Sequence, residues 1–316
     1  MTTSVAIPRS PDPKAPPGSV DSRRRWRMHS DRAAAVLLWI AAMSSVLITV
    51  GIVAVLVLES IPFFSHVGLG TFLTDTQWQP LFADARFGIL PLVCGTLVTT
   101  VTALAVAMPV GTVVAIYLSE FAPHRLREIL KPVLELLSAV PTVVYGYFAL
   151  LTVTPVLQKV FPDLPTFNML GAGIVMGIMI VPYVSSLSED AMRGVPRLLR
   201  EGAYAMGANK ILTALKVVYP AALSGIGSSY VLGISRAVGE TMIVAIAAGM
   251  QPNLTCNPAE PAATITAFIV QVSQGDLPHG SIGYQSIFAA GVVLFAMTLV
   301  FNIAGYRLRK RFREAY

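Results

Sequence analysis

The sequence predicts an all-α polytopic membrane protein with six transmembrane helices. Of its 316 residues, 54% are hydrophobic and 13% are charged, whereas soluble domains carry about 25% charged residues. The mean hydropathy is +0.67. Six apolar segments reach the roughly 17–25 residues that a helix needs to cross a bilayer. They are Ala33–Leu58, Ile89–Leu118, Leu130–Val156, Leu170–Leu187, Ala221–Met250 and Ser286–Tyr306.

The positive charges sort to alternate sides of these segments. The 23 Lys and Arg residues lie in the N-terminal segment, the second-to-third loop, the fourth-to-fifth loop and the C-terminal tail, with three exceptions. Arg86 and Lys159 lie in the other loops, and Arg236 lies inside a predicted span. Because cytoplasmic loops are enriched in Lys and Arg, the pattern predicts that both termini are cytoplasmic.

Three regions follow from this pattern. Residues 1–32 are rich in Pro, Ser and Arg, which predicts a disordered, basic, cytoplasmic N-terminus. Residues 33–306 form the six-helix transmembrane domain, and 307–316 form a basic cytoplasmic tail. The net charge of +6 is then a topology signal, and no nucleic-acid partner is predicted. The first span is too long for the apolar region of a cleaved signal peptide.

The outer loops hold few candidate ligands. Cys94 falls inside the second span and Cys256 in the loop from Gln251 to Gln285, so we expect them at different depths, with neither a disulfide nor a metal site. The same loop contains the short apolar run "ATITAFIVQVS", which predicts a helix that either lies at the outer surface or dips into the protein. No cofactor is predicted.

Proline interrupts the central spans, as at Pro109, Pro141 and Pro182. Proline removes a backbone donor and kinks a helix, and such breaks are tolerated where the freed carbonyls face protein or water. They fit a transport path, although Pro is also simply more frequent in membrane helices. Three hydroxyls near Pro141 suit either a polar path or hydrogen bonds between helices: Ser138, Thr142 and Tyr145.

The fifth span, "YVLGISRAVGETMIVAIAAGM", carries two charges at the depth of the bilayer. A charge there costs about 2.5–3.5 kcal/mol even on insertion scales. Arg236 and Glu240 are four residues apart, so one helix would place them on one face. Small residues recur beside them, which predicts close packing on another helix. These are Gly225, Ser229, Gly233 and Ala237.

The fourth-to-fifth loop, residues 188–220, reads "SEDAMRGVPRLLREGAYAMGANKILTALKVVYP". Pro196 suits a helix start, and Gly207 suits a break between two short helices. The pattern predicts either a docking knob on the cytoplasmic face or an ordinary surface loop. Near its start, Glu189 and Asp190 are expected to form solvated pairs with the arginines of the loop, and Lys131 is expected to pair with Glu135.

This loop resembles the E-A-A-x3-G-x9-I-x-L-P pattern of the membrane subunits of ABC importers. The chain has Gly202, Val217 and Tyr219 where the pattern has Ala, Ile and Leu. The resemblance implies a type I ABC importer permease fold and docking of a cytoplasmic ATPase dimer. The residues that match or flank the docking position are Glu201, Gly202, Ala203, Gly207 and Pro220.

Two further stretches, "RAVGETM" at Arg236–Met242 and "SAVPTVVYGYF" at Ser138–Phe148, resemble phosphate-importer permeases, in particular the PstC-type subunit. The resemblance implies phosphate as substrate, a PstA-like second permease subunit and an extracytoplasmic phosphate-binding protein. The implied path residues are Arg236, Glu240, Thr241, Ser138, Thr142 and Tyr145.

Arg236 supports two interpretations. A permanently charged guanidinium suits an oxyanion in transit, with Glu240 holding it in place, but a buried ion pair could equally fix helix packing. A permease for sulfate or molybdate and a self-sufficient secondary transporter remain alternatives. No G-x-x-x-x-G-K-[S/T] motif is present, so a catalytic role is not predicted.

Overall fold

A computed structural model describes residues 19–311 apart from 81, 83 and 279. Within these residues, five helices are long and apolar enough to cross a membrane, or six if one bent helix pair counts as a span. Short breaks and π-helical turns divide several spans. The helices are α1 (Ser19–His66), α2 (Leu69–Thr74), α3 (Leu90–Ile116), α4 (His124–Ala139), α5 (Thr142–Phe148), α6 (Thr154–Val160), α7 (Met169–Arg193), α8 (Arg197–Ala205), α9 (Lys210–Thr213), α10 (Tyr219–Ala221), α11 (Leu223–Val238), α12 (Met242–Ala247), α13 (Ile265–Gln271) and α14 (Ile282–Arg311).

The chain divides into two compact units, 1–55 and 56–316. In the described part of the first unit, α1 is continuous from Ser19, and its candidate span begins at Asp31. The predicted disordered segment 1–32 is therefore helical over 19–32, and 1–18 lie outside the described residues. Leu37, Leu38 and Leu47 are exposed along this helix, as suits a helix that faces lipid.

The second unit has an aromatic cluster beside α2 and a two-residue antiparallel ribbon. Its strands, β1 (Trp78–Gln79) and β2 (Arg86–Phe87), pair Trp78 with Phe87. The rings meet edge to face, with Trp78 and Phe268 4.9 Å apart between centroids. Phe63 and Phe72 complete the cluster, and both are fully buried. Trp78 is thus a core residue.

The centre of the second unit is the pair α3 and α7, which pack closely because glycines face larger side chains. A Cβ added at Gly173 or Gly177 of α7 would lie 2.7 Å from atoms of Thr102 or Ala103 of α3. The α7 helix begins where Asn168 Oδ1 accepts a hydrogen bond from the Gly171 amide, 2.6 Å. The fourth predicted span therefore corresponds to α7.

The third predicted span, Leu130–Val156, is displaced in the structure. The helix α4 ends at Ala139, and the candidate span is Thr142–Val160, made of α5, a π-helical turn and α6. No residue of α4 is fully buried. The break falls at Val140 and Pro141, since the residue before a proline disfavours helical geometry.

The fifth predicted span, Ala221–Met250, is broken twice. The segment Lys210–Ala221 meets α11 at an angle of 71°. Further on, α11 ends at Val238 and α12 begins at Met242. The small residues of α11 pack on α7, as predicted: Ser229 Oγ lies 2.8 Å from Ser188 Oγ, and a Cβ at Gly233 would contact Ile180. This packing lies within the chain itself.

Two helices complete the second unit. The short α13 is capped by Thr264, whose Oγ1 accepts a hydrogen bond from the Ala267 amide, 3.2 Å. The predicted outer helix therefore exists, and the burial of its residues Ile265–Phe268 fits the alternative that it dips into the protein. The last helix, α14, packs on α11, where Ser235 Oγ donates to Asn302 Oδ1 at 3.1 Å.

Candidate functional site

Arg236 lies in the last turn of α11, with its guanidinium against α7. The guanidinium carbon is 4.7 Å from the centroid of the Tyr183 ring, a cation–π contact. Its Nη2 lies 4.0 Å from Met179 Sδ, and its buried Nε has no hydrogen-bond partner. Among the ion pairs of the described residues, none involves Arg236.

The predicted pairing of Arg236 with Glu240 is wrong, because the helix stops between them. Glu240 is 8% exposed, and its Oε1 accepts hydrogen bonds from the backbone amides of Met242 and Ile243 at 3.1 and 3.4 Å. Its carbonyl accepts from Thr266 Oγ1 at 2.7 Å. Glu240 therefore caps α12 instead of neutralising Arg236.

The break places each charge at a compensating helix end. The C-terminal end of a helix carries a partial negative charge and the N-terminal end a partial positive charge. Arg236 stands at the C-terminal turn of α11, and Glu240 stands at the N-terminus of α12. Each charge is thus stabilised without the other, and the guanidinium keeps donors for a further acceptor.

The other predicted path residues are dispersed. Thr241 Oγ1 donates to the Gly239 carbonyl at 3.3 Å, within the break itself. Ser138 Oγ donates to the Glu135 carbonyl at 2.6 Å, on its own helix. Tyr145 Oη donates to the Leu137 carbonyl at 2.6 Å and so ties α5 to α4. Thr142 is half-buried at the start of α5. None of the hydrogen bonds found in the described part joins these side chains to Arg236.

The predicted pair of short helices is confirmed as α8 and α9. Between them Gly207 has φ +81°, a left-handed conformation that favours glycine, and its amide donates to the Tyr204 carbonyl at 2.9 Å. Asn209 Oδ1 caps α9 by accepting from the Leu212 amide at 2.8 Å. The segment 188–193, predicted as part of the loop, belongs to α7.

The helix α8 presents an apolar surface outward. None of its residues is fully buried. Leu198 of α8 is 78% exposed, and Met206, which caps the helix, is 88% exposed. Glu201, Gly202 and Gly207 are exposed as well, Ala203 is half-buried, and Pro220 is exposed within α10. These exposed apolar side chains make α8 a candidate interaction surface.

A buried ion pair joins this helix pair to the end of α3. Arg200 Nη2 donates to Glu120 Oε1 at 2.8 Å and to the Met192 carbonyl at 2.8 Å. Lys210 Nζ lies 5.2 Å from the centroid of the Phe121 ring. Sequence reasoning missed this contact, although an acid at the end of an apolar span, on the same side as an arginine-rich loop, was a signal for it.

A second ionic cluster lies at the same end. Glu189 is fully buried on α7, and its carboxylate lies 2.8 Å from Lys131 Nζ and 3.4 Å from Arg193 Nη1. Lys131 also reaches Asp190 at 2.7 Å. Burial alone would lower the pKa of Lys131, but its hydrogen bonds to Asp190 and Glu189 raise it. The predicted pairing of Glu189 with an arginine is confirmed. The prediction that it is solvated is wrong, and Lys131 pairs with α7, not with Glu135.

The prediction that the two cysteines lie at different depths is wrong. Cys94 lies in the second turn of α3, and its Sγ is 3.6 Å from Cys256 Sγ and 3.2 Å from the Thr255 carbonyl. Both are free thiols. The described residues hold no group of three or more side chains that could bind a metal ion.

These features define a class: a multi-pass membrane permease that carries an exposed helix pair at one end of its spans. Residues 107–314 match the family described as binding-protein-dependent transport system inner membrane component. The chain belongs to this family, and it is a non-catalytic subunit of an ABC importer. An ABC importer permease of this family works with two kinds of partner, an ATPase and a binding protein.

Two relatives are similar to this chain in sequence, and one solved structure is similar to it in fold. The chain is 35% identical to the probable ABC transporter permease protein YqgH of Bacillus subtilis, over 73% of this chain and 74% of YqgH. It is 33% identical to the phosphate transport system permease protein PstC 1 of Mycobacterium tuberculosis, over 76% and 81%.

The fold is similar to that of a bacterial ABC transporter involved in the import of alginate, with a TM-score of 0.61 and 16% identity, covering 93% of this chain and 98% of that chain. The type I importer permease fold expected from the sequence is confirmed.

Proposed function

We propose that this permease carries inorganic phosphate into the cytoplasm, and that Arg236 meets the anion in transit. The observation that carries the proposal is the state of Arg236: a half-buried cation without a carboxylate partner among the described residues. A permanently charged group in a span is functional by default. The similarity to PstC proteins supports phosphate as the oxyanion.

The contacts of Arg236 leave its donors open. The guanidinium carbon lies 4.7 Å from the centroid of the Tyr183 ring, and a guanidinium has five N–H donors in its plane. Met179 Sδ is a weak acceptor, and Nε has no partner. An oxyanion that reaches the guanidinium would satisfy donors that are costly to leave unpaired.

Arg236 also stands at a suitable depth. The helix α11 starts at Leu223, so Arg236 lies about 20 Å along it at 1.5 Å per residue. The hydrocarbon core is about 30 Å thick. The break at Gly239–Thr241 lies just beyond, and broken helices at such depths line ion and substrate sites in transporters.

The exposed surface of α8, around Glu201, Gly202, Ala203 and Gly207, is proposed to dock in a cytoplasmic ATPase dimer. ATP binding would move α8, and Arg200 and Glu120 would transmit the movement to α3. The proposed topology places both termini and this surface in the cytoplasm. A PstA-like second subunit and a phosphate-binding protein complete the proposed complex.

The docking proposal is tested with two glycine variants. Gly207→Pro removes the amide that donates to Tyr204 and excludes φ +81°, so ATPase co-purification is expected to be lost while membrane insertion persists. Gly280→Pro is the matched control, since Gly280 also has φ +81° but lies between α13 and α14, outside the proposed docking surface. Unchanged ATPase binding by Gly207→Pro would contradict the docking proposal.

The transported anion is identified by reconstituting the complex in liposomes. A purified binding protein for phosphate, for sulfate or for molybdate is added in turn. Phosphate uptake that depends on ATP is the expected result. ATP-dependent uptake of sulfate or molybdate alone would favour the alternative permease, because the Arg236 donors suit any tetrahedral oxyanion. Uptake by this chain without the ATPase would favour a secondary transporter.

A further inference from the structure

The geometry points to an extracytoplasmic disulfide between Cys94 and Cys256, which fastens the segment 251–263 to the outer end of α3. The inference rests on the topology included in the proposed function, and the experiment below separates the two. The thiols are 162 residues apart in sequence, yet their Sγ atoms lie 3.6 Å apart.

The thiols lie at the end of the spans opposite the docking surface. Cys94 is near the start of α3, whereas Glu120, which pairs with Arg200 of α8, follows the end of the same helix. At 1.5 Å per residue, the two are roughly 40 Å apart along the helix axis, which exceeds the hydrocarbon core of about 30 Å. If α8 is cytoplasmic, the thiols face the compartment where disulfides form and persist.

The segment 251–263 is a folded strap between α12 and α13. The Ala263 amide donates to the Gln251 carbonyl at 2.7 Å, and the Leu170 amide of α7 donates to the Pro258 carbonyl at 2.7 Å. Its far end touches α3, because a Cβ added at Gly95 would collide with the Ala263 carbonyl. The thiols are therefore held near each other by contacts on both sides.

Bond formation needs little movement. The Sγ atoms must close from 3.6 Å to about 2.05 Å. Cys256 is exposed and Cys94 is half-buried, so Cys256 can reorient. The hydrogen bond of Cys94 to Thr255 holds its sulfur beside the neighbouring residue of the segment.

The reaction is a thiol–disulfide exchange with a disulfide-bearing oxidoreductase of the outer compartment. The Cys256 thiolate attacks the oxidoreductase disulfide, forms a mixed disulfide and releases one thiolate. The Cys94 thiolate then attacks Cys256 Sγ and displaces the second thiolate. The permease loses two electrons and two protons, and the oxidoreductase is recovered as a dithiol.

The bond would join α3, the segment and, through Pro258, the start of α7. A covalent link across 162 positions restricts the unfolded chain more than a short loop does. The oxidised complex is therefore expected to melt at a higher temperature than the reduced complex.

The test uses the complex purified from membranes without reductant and blocked with N-ethylmaleimide before denaturation. The expected result is a linked Cys94–Cys256 peptide, two hydrogens lighter than the sum of the free peptides. Cys94→Ser, Cys256→Ser and the double variant should lower the melting temperature equally, and reductant should remove the difference from wild type.

Orientation is read separately with a membrane-impermeant maleimide on intact cells that carry Cys94→Ser. Labelling of Cys256 supports the topology. Suppose that Cys256 is labelled in the variant, but the wild-type protein yields only free thiols or Cys256–Cys256 dimers. The Cys94–Cys256 disulfide is then excluded, and the topology stands. If it is labelled only after permeabilisation, the topology and the disulfide both fail.

Discussion

At the end of the spans that carries α8 and α9, charged side chains hold the helices together, whereas at the opposite end aromatic rings do so. Glu189 and Glu120 are at most 6% exposed in their side chains, and both pair with Lys or Arg. At the other end, Phe63, Phe72 and Trp78 are at most 1% exposed and meet edge to face.

The contacts at the two ends tolerate movement of the helices to different degrees. Ion pairs whose cations are partly exposed can break and re-form, because the released cations are hydrated. Interlocked rings lose dispersion contacts as soon as they separate. The ionic end therefore suits movement driven by a partner, and the aromatic end suits a fixed frame.

The largest expected effect is at the aromatic end. Phe72→Ala leaves a cavity in the ring cluster and should destabilise the protein by about 3–5 kcal/mol, with little dependence on salt. Thermal unfolding of the purified complex measures this. Leu73→Ala on the same helix is the control, since Leu73 is 54% exposed. Equal losses of stability in the two variants would show that the aromatic cluster does not hold this end of the spans together.

Glu189→Gln is the next test. It leaves Lys131, Arg127 and Arg193 facing a neutral group, and the expected loss is about 3 kcal/mol, the lower end for broken buried pairs, because these cations are partly hydrated. Asp190→Asn, at a 57% exposed side chain, should cost less than about 1 kcal/mol. A loss no larger for Glu189→Gln than for Asp190→Asn would contradict the assignment of a buried ionic cluster.

A smaller effect is expected for Glu120→Gln. Weakening the charged hydrogen bond of Arg200 should cost about 1.5–3 kcal/mol, confined to the attachment of α8. Hydrogen exchange of the α8 amides should speed up, while α3 stays protected. Glu128→Gln, on an exposed pair with His124, is the control. Unchanged hydrogen exchange of the α8 amides would show that the Arg200–Glu120 pair does not position the proposed docking surface.

The smallest effect is a pH dependence. The pKa of Lys131 is raised from 10.5, so its pairing contributes fully below that value and is lost as the pH rises through the raised pKa. The difference in melting temperature between wild type and Lys131→Met should shrink in that alkaline range. A constant difference would mean that the charge of Lys131 does not stabilise the fold.

Hydropathy predicted the spans well where a helix runs uninterrupted, as in α3, α7 and α14. It placed the third span too early and treated the fifth as continuous. The reason is that helix ends depend on capping partners distant in sequence: Thr266 bonds the Glu240 carbonyl, which helps to fix the break after Val238.

The candidate site was predicted in part. The two short helices α8 and α9 followed from Pro196 and Gly207, since both residues act locally on the backbone. The pairing of Arg236 with Glu240 failed because it assumed an unbroken helix, and Tyr183 carries no signal in a single sequence that it faces Arg236. The proximity of the two cysteines could have been predicted from the sequence, because Cys94 stands near the predicted start of its span.

Uptake of labelled phosphate by the complete complex with Arg236→Gln tests the central claim most directly. The glutamine keeps hydrogen-bond donors but removes the charge, and Arg236→Lys restores a charge without the planar fork. The account predicts that Arg236→Gln abolishes uptake while assembly with the ATPase persists, and that Arg236→Lys recovers part of it. Normal uptake by Arg236→Gln would contradict the account, and failure of Arg236→Gln to assemble would assign Arg236 to helix packing.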